Sequence, residues 1–253
     1  MKALRGGLRR GFTAVAQSKQ SHSAPQILHT PGGGAQLAVE GALNDNYALV
    51  LKSKSACIVV DSPEENAIMR LLDRQGWSPT HIVNTHHHWD HTGANEAIKD
   101  RYSCEIVGSA TDSRIPAKDR HVSGGERIQL GDLQALVLET PGHTSTHLCF
   151  YFEELGVLLA GDTLFSCGCG RLLEGNAEQM LSSLQKLDQH VADDTLVACA
   201  HEVSGDFANE SVALAVNNQG YYGGMHRSTQ RKTSNWRLML IQLMRNCNSV
   251  RRR

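Results

Sequence analysis

Short apolar runs separated by polar turns dominate the chain from residue 27 to about residue 200. The runs at 47–51 and 56–61 are rich in Val, Leu and Ile and are separated by a Lys/Ser turn, which predicts two short buried strands. Comparable runs predict further strands at 81–84, 105–108, 127–130, 134–139, 148–152, 157–160 and 195–199. A sheet-rich core is therefore expected.

Helices are predicted between these strands. The first has Ser62 as N-cap and Pro63 as its first helical residue, and it ends at Gly76. A second helix is predicted around residues 93–99, and a third, amphipathic helix at 177–190. Strands with interspersed helices indicate a layered α/β protein. The length of 253 residues accommodates one large domain, which we assign to residues 27–203, with a small C-terminal segment at 204–253.

Charge is distributed unevenly, although the formal net charge is only −1. Residues 1–39 and 211–253 contain no Asp or Glu, so all 26 acidic residues lie in the middle of the chain. An acidic body between basic ends is unlike a nucleic-acid-binding domain, which clusters its basic residues on one folded face. No apolar run is long enough to span a bilayer. We therefore expect neither a nucleic-acid partner nor a membrane partner, and we expect a monomer.

The acid-free N-terminus has the composition of a targeting segment. Residues 1–26 are basic, contain several Ser residues and lack the continuous apolar stretch of a secretory signal. A mitochondrial or plastid transit peptide is the preferred interpretation, and a disordered basic tail on a cytoplasmic protein is the alternative. Residues 204–253 are expected to be short, basic and partly helical.

The strongest candidate chemistry lies directly after the predicted strand 81–84. Four metal-capable side chains follow within six residues: His86, His88, Asp90 and His91. Four such groups would crowd a single ion. In an extended loop alternate residues share a side, so the first two can converge on one metal while the last two turn towards a second. Imidazole and carboxylate ligands without thiolate suit Zn²⁺, Fe²⁺ or Mn²⁺.

Three further candidate ligands also follow predicted strands, namely His143, Asp162 and His201. Gly142 and Gly161 precede the first two, which allows the tight backbone turns that bring side chains into a site. Any one of these residues alone would be interpreted as an ordinary surface or core residue. The full set in this order indicates a two-metal hydrolase.

These residues resemble the metallo-β-lactamase superfamily, whose signature is H-x-H-x-D-H followed by single His, Asp and His ligands. The match is closest to the glyoxalase II branch, the hydroxyacylglutathione hydrolases. It rests on the stretches 85–95, 140–144, 161–165, 168–175 and 200–202, and it covers roughly residues 37–202. The resemblance implies a four-layer αββα sandwich with a shortened C-terminal helical appendage.

The resemblance also implies how the ligands divide between two divalent ions, with Zn²⁺ preferred and Fe²⁺ or Mn²⁺ as alternatives. His86, His88 and His143 would hold one ion, while Asp90, His91 and His201 would hold the other. Asp162 would bridge the two ions, and Asp90 would also serve catalysis by accepting a proton or orienting the attacking hydroxide.

The implied substrate is a glutathione thioester such as S-D-lactoylglutathione. Arg171 matches the family position that contacts the glycyl carboxylate, and an Arg fork suits a carboxylate. The chain departs from the family pattern at Leu173 and Val203, where the family usually has aromatic residues that help to hold glutathione. Arg231 and Lys232 are candidates for further substrate contacts, with a free tail as the alternative.

Two rival functions remain open on the sequence. A persulfide dioxygenase shares the fold but uses one iron; that branch typically has Thr-Asp-Phe-Gln after its Gly-Cys-Gly-Arg, whereas this chain has Leu-Leu-Glu-Gly at 172–175. A metal-binding protein whose substrate positions have eroded is the second rival. Oxygen consumption with glutathione persulfide would identify the first rival, and elemental analysis together with hydrolysis of S-D-lactoylglutathione tests the second.

Overall fold

Two β-sheets packed face to face form the centre of the protein, as described by a computed structural model for residues 24–165 and 168–201. The first sheet contains, in spatial order, β1 (Gln26–His29), β2 (Gln36–Ala42), β3 (Asn46–Lys52), β4 (Cys57–Val60), β5 (His81–Val83), β6 (Glu105–Ser109) and β7 (Arg120–Val122). The second contains β8 (Arg127–Leu130), β9 (Leu133–Glu139), β10 (Leu148–Phe152), β11 (Val157–Gly161) and β12 (Leu196–Cys199), also in this order. Strands β4 to β7 are parallel neighbours, as are β11 and β12.

Helices cover the outer faces of both sheets. They are α1 (Glu65–Gln75), α3 (Asn95–Tyr102) and α4 (Ala177–His190); the one-turn helix α2 (Trp89–Thr92) lies in the loop after β5, and a 3₁₀ turn spans Glu153–Leu155. Apolar residues of α1 and α3 pack on the first sheet, and those of α4 pack on the second. A third apolar cluster fills the space between the sheets. The order of layers is helix, sheet, sheet, helix, as the resemblance implied.

Strand β3 shows why both faces of the first sheet must be covered. Leu49 and Leu51 point into the cluster between the sheets, while Ala48 and Val50 point towards the helices. Successive side chains of a strand alternate between its faces. A strand with an unbroken apolar run therefore needs an apolar layer on each side, and the sandwich supplies both.

The start of α1 is the clearest error in the predicted helices. The helix begins at Glu65 with Glu64 as N-cap, two residues after the predicted start, and no side chain caps it. Ser62 is instead fully buried, and its hydroxyl contacts Asn95 Oδ1 at 2.5 Å. This tertiary contact takes the hydroxyl away from the helix end. The predicted end is confirmed, since Gly76 adopts the left-handed conformation with φ 64°.

Three strands and one helix were not predicted. Strands β1, β2 and β7 are short or interrupted by polar residues and Gly, which hides their alternation. Helix α2 forms one helical turn inside the histidine loop, so only the part before Trp89 is extended. Residues 204–253, with the predicted C-terminal appendage, and residues 1–23 lie outside the described part of the chain. Within that part, no helix combines the length and apolarity needed to cross a membrane.

Candidate metal centre

The predicted ligands meet at one edge of the sandwich, where parallel strands of both sheets end. The histidine loop follows β5, Asp162 follows β11, and His201 lies two residues after β12. Backbone bonds join the sheets at this edge: Tyr47 N donates to Ala200 O at 2.8 Å, and Leu148 N donates to Thr85 O at 2.8 Å. Loops leaving a rigid sheet are held in a fixed geometry, which suits a metal site.

A first group of ligand atoms consists of three imidazole nitrogens. His88 Nδ1 lies 3.0 Å from His86 Nε2 and 3.1 Å from His143 Nε2. His86 is fully buried and His143 is nearly so. The three residues form one of the constellations whose ligand atoms can hold a metal ion.

A second group combines two imidazoles and a carboxylate. His91 Nε2 and His201 Nε2 are 3.2 Å apart, and Asp90 Oδ2 lies 3.6 Å from the former and 3.5 Å from the latter. Asn46 Nδ2 donates to Asp90 Oδ2 at 3.3 Å, which steadies the carboxylate. These residues form a second constellation able to hold an ion.

Asp162 lies between the two groups with one oxygen facing each. Its Oδ2 is 3.3 Å from His143 Nε2 in the first group. Its Oδ1 is 3.5 Å from His91 Nε2 and 3.4 Å from His201 Nε2 in the second. The structure therefore brings Asp162 together with residues of both groups.

Hydrogen bonds behind the histidines set which nitrogen carries the proton. His143 Nδ1 contacts the Arg171 carbonyl at 2.8 Å, and His91 Nδ1 contacts Asp61 Oδ2 at 2.9 Å. A backbone carbonyl can only accept, so Nδ1 of His143 is the donor, and a carboxylate acceptor likewise makes Nδ1 of His91 the donor. In the neutral ring, the Nε2 atom that faces the centre is then a free lone pair, as a metal ligand must be.

The protonation of the two groups differs before any cation is bound. Burial, followed by repulsion from neighbouring imidazoles, lowers the pKa of His86 well below its usual range and that of His88 to about 4. Burial also opposes protonation of His91, but the carboxylates of Asp61 and Asp162 outweigh it and raise its pKa to about 9. The second group therefore has a strong local preference for positive charge.

The geometry of both groups fits metal ions. Tetrahedral coordination with bonds of about 2.0–2.1 Å places neighbouring ligand atoms about 3.3 Å apart. The separations given above, from 3.0 to 3.6 Å, bracket that value. Asp162 Oδ1 is also buried without a hydrogen-bond partner, which is costly unless a cation satisfies it. The donor set thus fits two divalent ions.

Two buried residues that support the centre were not singled out in the sequence. Asp61 accepts hydrogen bonds from the Thr85 backbone and from His91. It ends a predicted strand, the same signal that marked the ligands, so the pattern could have revealed it. His147 accepts a bond from the Asp162 backbone at Nε2 (3.1 Å) and stacks on His86 with ring centroids 5.0 Å apart. Nothing local distinguishes it from an ordinary core histidine.

The predicted substrate residues are only partly within the described chain. Arg171 is exposed at the edge of the first group, and its carbonyl is bonded to His143. Leu173 is 53% exposed, and its backbone N donates to His143 O at 3.2 Å. Val203, Arg231 and Lys232 lie outside the described residues. Trp89 and Leu172 are the other large exposed apolar side chains in that part of the chain, and both belong to loops of the centre.

Comparison with known proteins places these observations in a family context. The model of the metallo-beta-lactamase superfamily matches residues 41–201. A hydroxyacylglutathione hydrolase of Rhodospirillum rubrum is 48% identical over 170 residues, covering 66% of this chain and 65% of the relative. The protein of the same name from Rhizobium meliloti is 43% identical over 175 residues, covering 68% and 67%. The chain thus spans about two thirds of the length of these curated relatives.

A solved structure supports the fold independently. The crystal structure of ETHE1 from Myxococcus xanthus superposes with a TM-score of 0.57 at 24% identity, covering 88% of this chain and 91% of that one. At this identity the likeness concerns the fold alone. The αββα architecture and the family of the sequence agree with each other.

Proposed function

Because this chain belongs to the metallo-β-lactamase superfamily, and within it to the hydroxyacylglutathione hydrolase (glyoxalase II) branch, we propose that it hydrolyses a glutathione thioester. The products would be glutathione and a 2-hydroxy acid, with S-D-lactoylglutathione as the representative substrate. The observation that carries the proposal is the pair of ligand groups joined by Asp162 at the sheet edge. A two-ion centre of this kind suits hydrolysis of an acyl compound.

The proposed ligand sets follow the two groups. His86, His88 and His143 would bind one divalent ion, and Asp90, His91 and His201 would bind the second. Asp162 would bind both. We favour Zn²⁺, because nitrogen and carboxylate ligands at these separations suit it, and Fe²⁺ or Mn²⁺ remain the alternatives.

The chemistry supplied by such ions, when bound, is polarisation of the thioester carbonyl and a lowered pKa for an attacking water. Asp90 would orient that water or accept its proton. Burial favours the neutral form of Asp90, but the positive field of His91 and the hydrogen bond from Asn46 outweigh it and lower the pKa of this carboxyl. Asp90 is therefore ionised at neutral pH.

Release of the thiol then needs no dedicated acid. Attack on the carbonyl carbon forms the new C–O bond, and breaking the C–S bond leaves a thiolate whose thiol has a pKa of about 8.5. Such a group is already stable near neutral pH. We assign the binding of the glutathione carboxylate to Arg171, with Leu173 beside it, and we retain Val203, Arg231 and Lys232 as further proposed contacts.

The decisive experiment combines elemental analysis with a thioesterase assay. We expect two metal ions per chain and release of free glutathione from S-D-lactoylglutathione. A trypanothione thioester and a β-lactam, assayed beside it, test the choice of thiol carrier and of acyl compound. Two bound ions without turnover of any glutathione thioester would contradict the proposal and favour a metal-binding protein with an eroded substrate site.

A persulfide dioxygenase would behave differently in the same experiment. It would bind one iron, consume oxygen with glutathione persulfide and leave the thioester intact. Its one-iron chemistry would not use the second group of Asp90, His91 and His201. We therefore expect no oxygen uptake.

The organisation outside the centre is also part of the proposal. We infer a catalytic domain at residues 27–203, a targeting segment or basic tail at 1–26 and a basic segment at 204–253. We favour the matrix of a mitochondrion or plastid over the cytoplasm, because the N-terminus is basic and free of acidic residues. Localisation of a full-length fluorescent fusion tests this assignment, and sedimentation tests the proposed monomer.

A further inference from the structure

The loop at 168–175 is attached to the metal centre by its backbone. The Arg171 carbonyl accepts from His143 Nδ1 at 2.8 Å, and the backbone N atoms of Leu173 and Glu174 both donate to His143 O at 3.2 Å. The loop therefore touches the first ligand group on both the ring and the main chain of one histidine. Arg171 therefore lies on a segment whose backbone is bonded to a ligand of the first group, and these backbone bonds do not involve the side chains that hold the rest of the loop.

The Glu174 side chain ties the same loop to two others. Its Oε2 accepts from both the backbone N and the hydroxyl of Ser145 at 2.9 Å. Its Oε1 accepts from Arg114 Nη1 at 2.5 Å, and Arg114 Nη2 lies 3.3 Å from Oε2. These contacts, the arginine first, lower the pKa of Glu174 to about 2, which marks a carboxylate held firmly in its charged form.

Arg114 is anchored in turn to a fully buried carboxylate. Its Nε and Nη2 donate to the two oxygens of Asp112 at 2.8 and 2.9 Å. Asp112 also accepts from the Thr146 hydroxyl and lies 3.1 Å from Nδ1 of His87, the residue between the first two histidines of the first group. The network therefore links the loop at 168–175, the loop that carries His143 and the histidine loop.

The same contacts decide which arginine is available to a ligand. The Nε, Nη1 and Nη2 atoms of Arg114 all donate to Asp112 or Glu174. No hydrogen bond or ion pair to the guanidinium of Arg171 is found among residues 24–165 and 168–201. Arg171 is thus the cation of this loop that is free to meet a carboxylate.

We propose that Glu174 and Arg114 are positioning residues that clamp the loop at 168–175 onto the centre and so hold Arg171 at the carboxylate of the thiol carrier. The inference rests on the proposed function and extends it from the ligands to substrate affinity. The clamp acts on binding rather than on the chemical step, because neither side chain belongs to the two ligand groups.

The test uses the full-length, metal-loaded protein with Glu174→Gln, Arg114→Met and the double variant. With S-D-lactoylglutathione we expect KM to rise about tenfold in each single variant, while kcat stays within about twofold, since a displaced binding group costs ground-state affinity. The KM of the double variant should not exceed the higher of the two single-variant values, because both substitutions break the same contact between Glu174 and Arg114. Arg127→Met, which breaks the exposed Arg127–Glu153 pair at 3.2 Å, is the matched control and should leave both constants unchanged.

A blocked substrate separates positioning from general damage to the fold. When the glycyl carboxylate is esterified, wild-type KM should rise and the Glu174→Gln variant should show no additional increase. Metal content should stay at the wild-type value, and binding of free glutathione, followed by calorimetry, should weaken in parallel with KM. If Arg114→Met is unstable, Glu174→Gln carries the same comparison.

Three outcomes would overturn the inference. Variants with wild-type KM would show that Glu174 and Arg114 do not position the loop. An equal rise in KM for the esterified substrate would show that their effect does not act through Arg171. A fall in kcat and metal content with unchanged KM would assign the network to the metal centre instead. A wild-type protein that neither hydrolyses the thioester nor binds glutathione would overturn the proposed function itself, and the inference with it.

Discussion

Replacing Asp61 by Asn tests whether a buried carboxylate selects the metal-binding form of His91. Asp61 is 3% exposed and has φ 53°, a left-handed conformation that Asn adopts as readily as Asp, so the backbone is not strained by the change. Its oxygens accept from Thr85 N at 2.7 Å, Thr85 Oγ1 at 2.9 Å and His91 Nδ1 at 2.9 Å. The variant keeps the shape of the side chain and removes its charge.

The consequence of Asp61→Asn follows from hydrogen-bond directions. If the oxygen of the introduced amide accepts from Thr85 N, the amide nitrogen faces His91 Nδ1, where two donors would meet. In the neutral ring that a metal ligand requires, the proton must then move to Nε2, which replaces the lone pair facing the second group by an N–H. A hydrogen bond to a charged group contributes about 1.5–3 kcal/mol. At about 1.4 kcal/mol per factor of ten, the second group should lose about one to two orders of magnitude in metal affinity.

The assay is metal content after dialysis against graded chelator concentrations. We expect one ion to be retained as in the wild type, by the group of His86, His88 and His143, and the other to be released at about 10- to 100-fold lower chelator strength. Asp132→Asn is the control, because that aspartate accepts bonds from Ser53 and Ser55 far from the centre. Retention of both ions with unchanged affinity in Asp61→Asn would show that the tautomer argument is wrong.

Three further outcomes are expected. The folded-state pKa of Glu174 is lowered to about 2, so the extra free energy of unfolding of the wild type over Glu174→Gln should be constant above pH 4.5 and disappear as the pH falls towards 2. Urea unfolding across this pH range measures the difference. A difference that grows on acidification would contradict the assignment. His147→Ala removes a buried acceptor and a stacked ring, so the free energy of unfolding should fall by about 2–4 kcal/mol together with metal content, and a variant with unchanged metal affinity would rule out its supporting role. Gly170→Ala would place a Cβ 2.2 Å from the backbone O of Asp162 and should abolish activity, whereas Gly168→Ala meets open space and should remain active; equal activity of the two would argue against a rigid loop.

Much of the fold was predictable because its causes are local. Strands such as β3 and β10 are recognisable by unbroken apolar runs, and α4 by the helical spacing of its apolar residues. Strands β1 and β7 were missed because edge strands of four and three residues with polar side chains carry little periodicity. The predicted beginning of α1 was two residues too early, because Ser62 hydrogen-bonds to the distant Asn95 instead of capping the helix.

The candidate site was likewise predictable only in part from the sequence. Which residues can bind a metal, and that they follow strands, are properties of residue type and short-range order, and the chain alone was enough to identify them. Which atoms face one another depends on loops brought together from two sheets. Only the folded protein showed which Asp162 oxygen faces which group, that His91 contacts Asp61, that His147 stacks on His86 and that Glu174 contacts Arg114. The His91–Asp61 and Glu174–Arg114 contacts join residues 30 and 60 positions apart, and a local pattern carries no information about such distant partners.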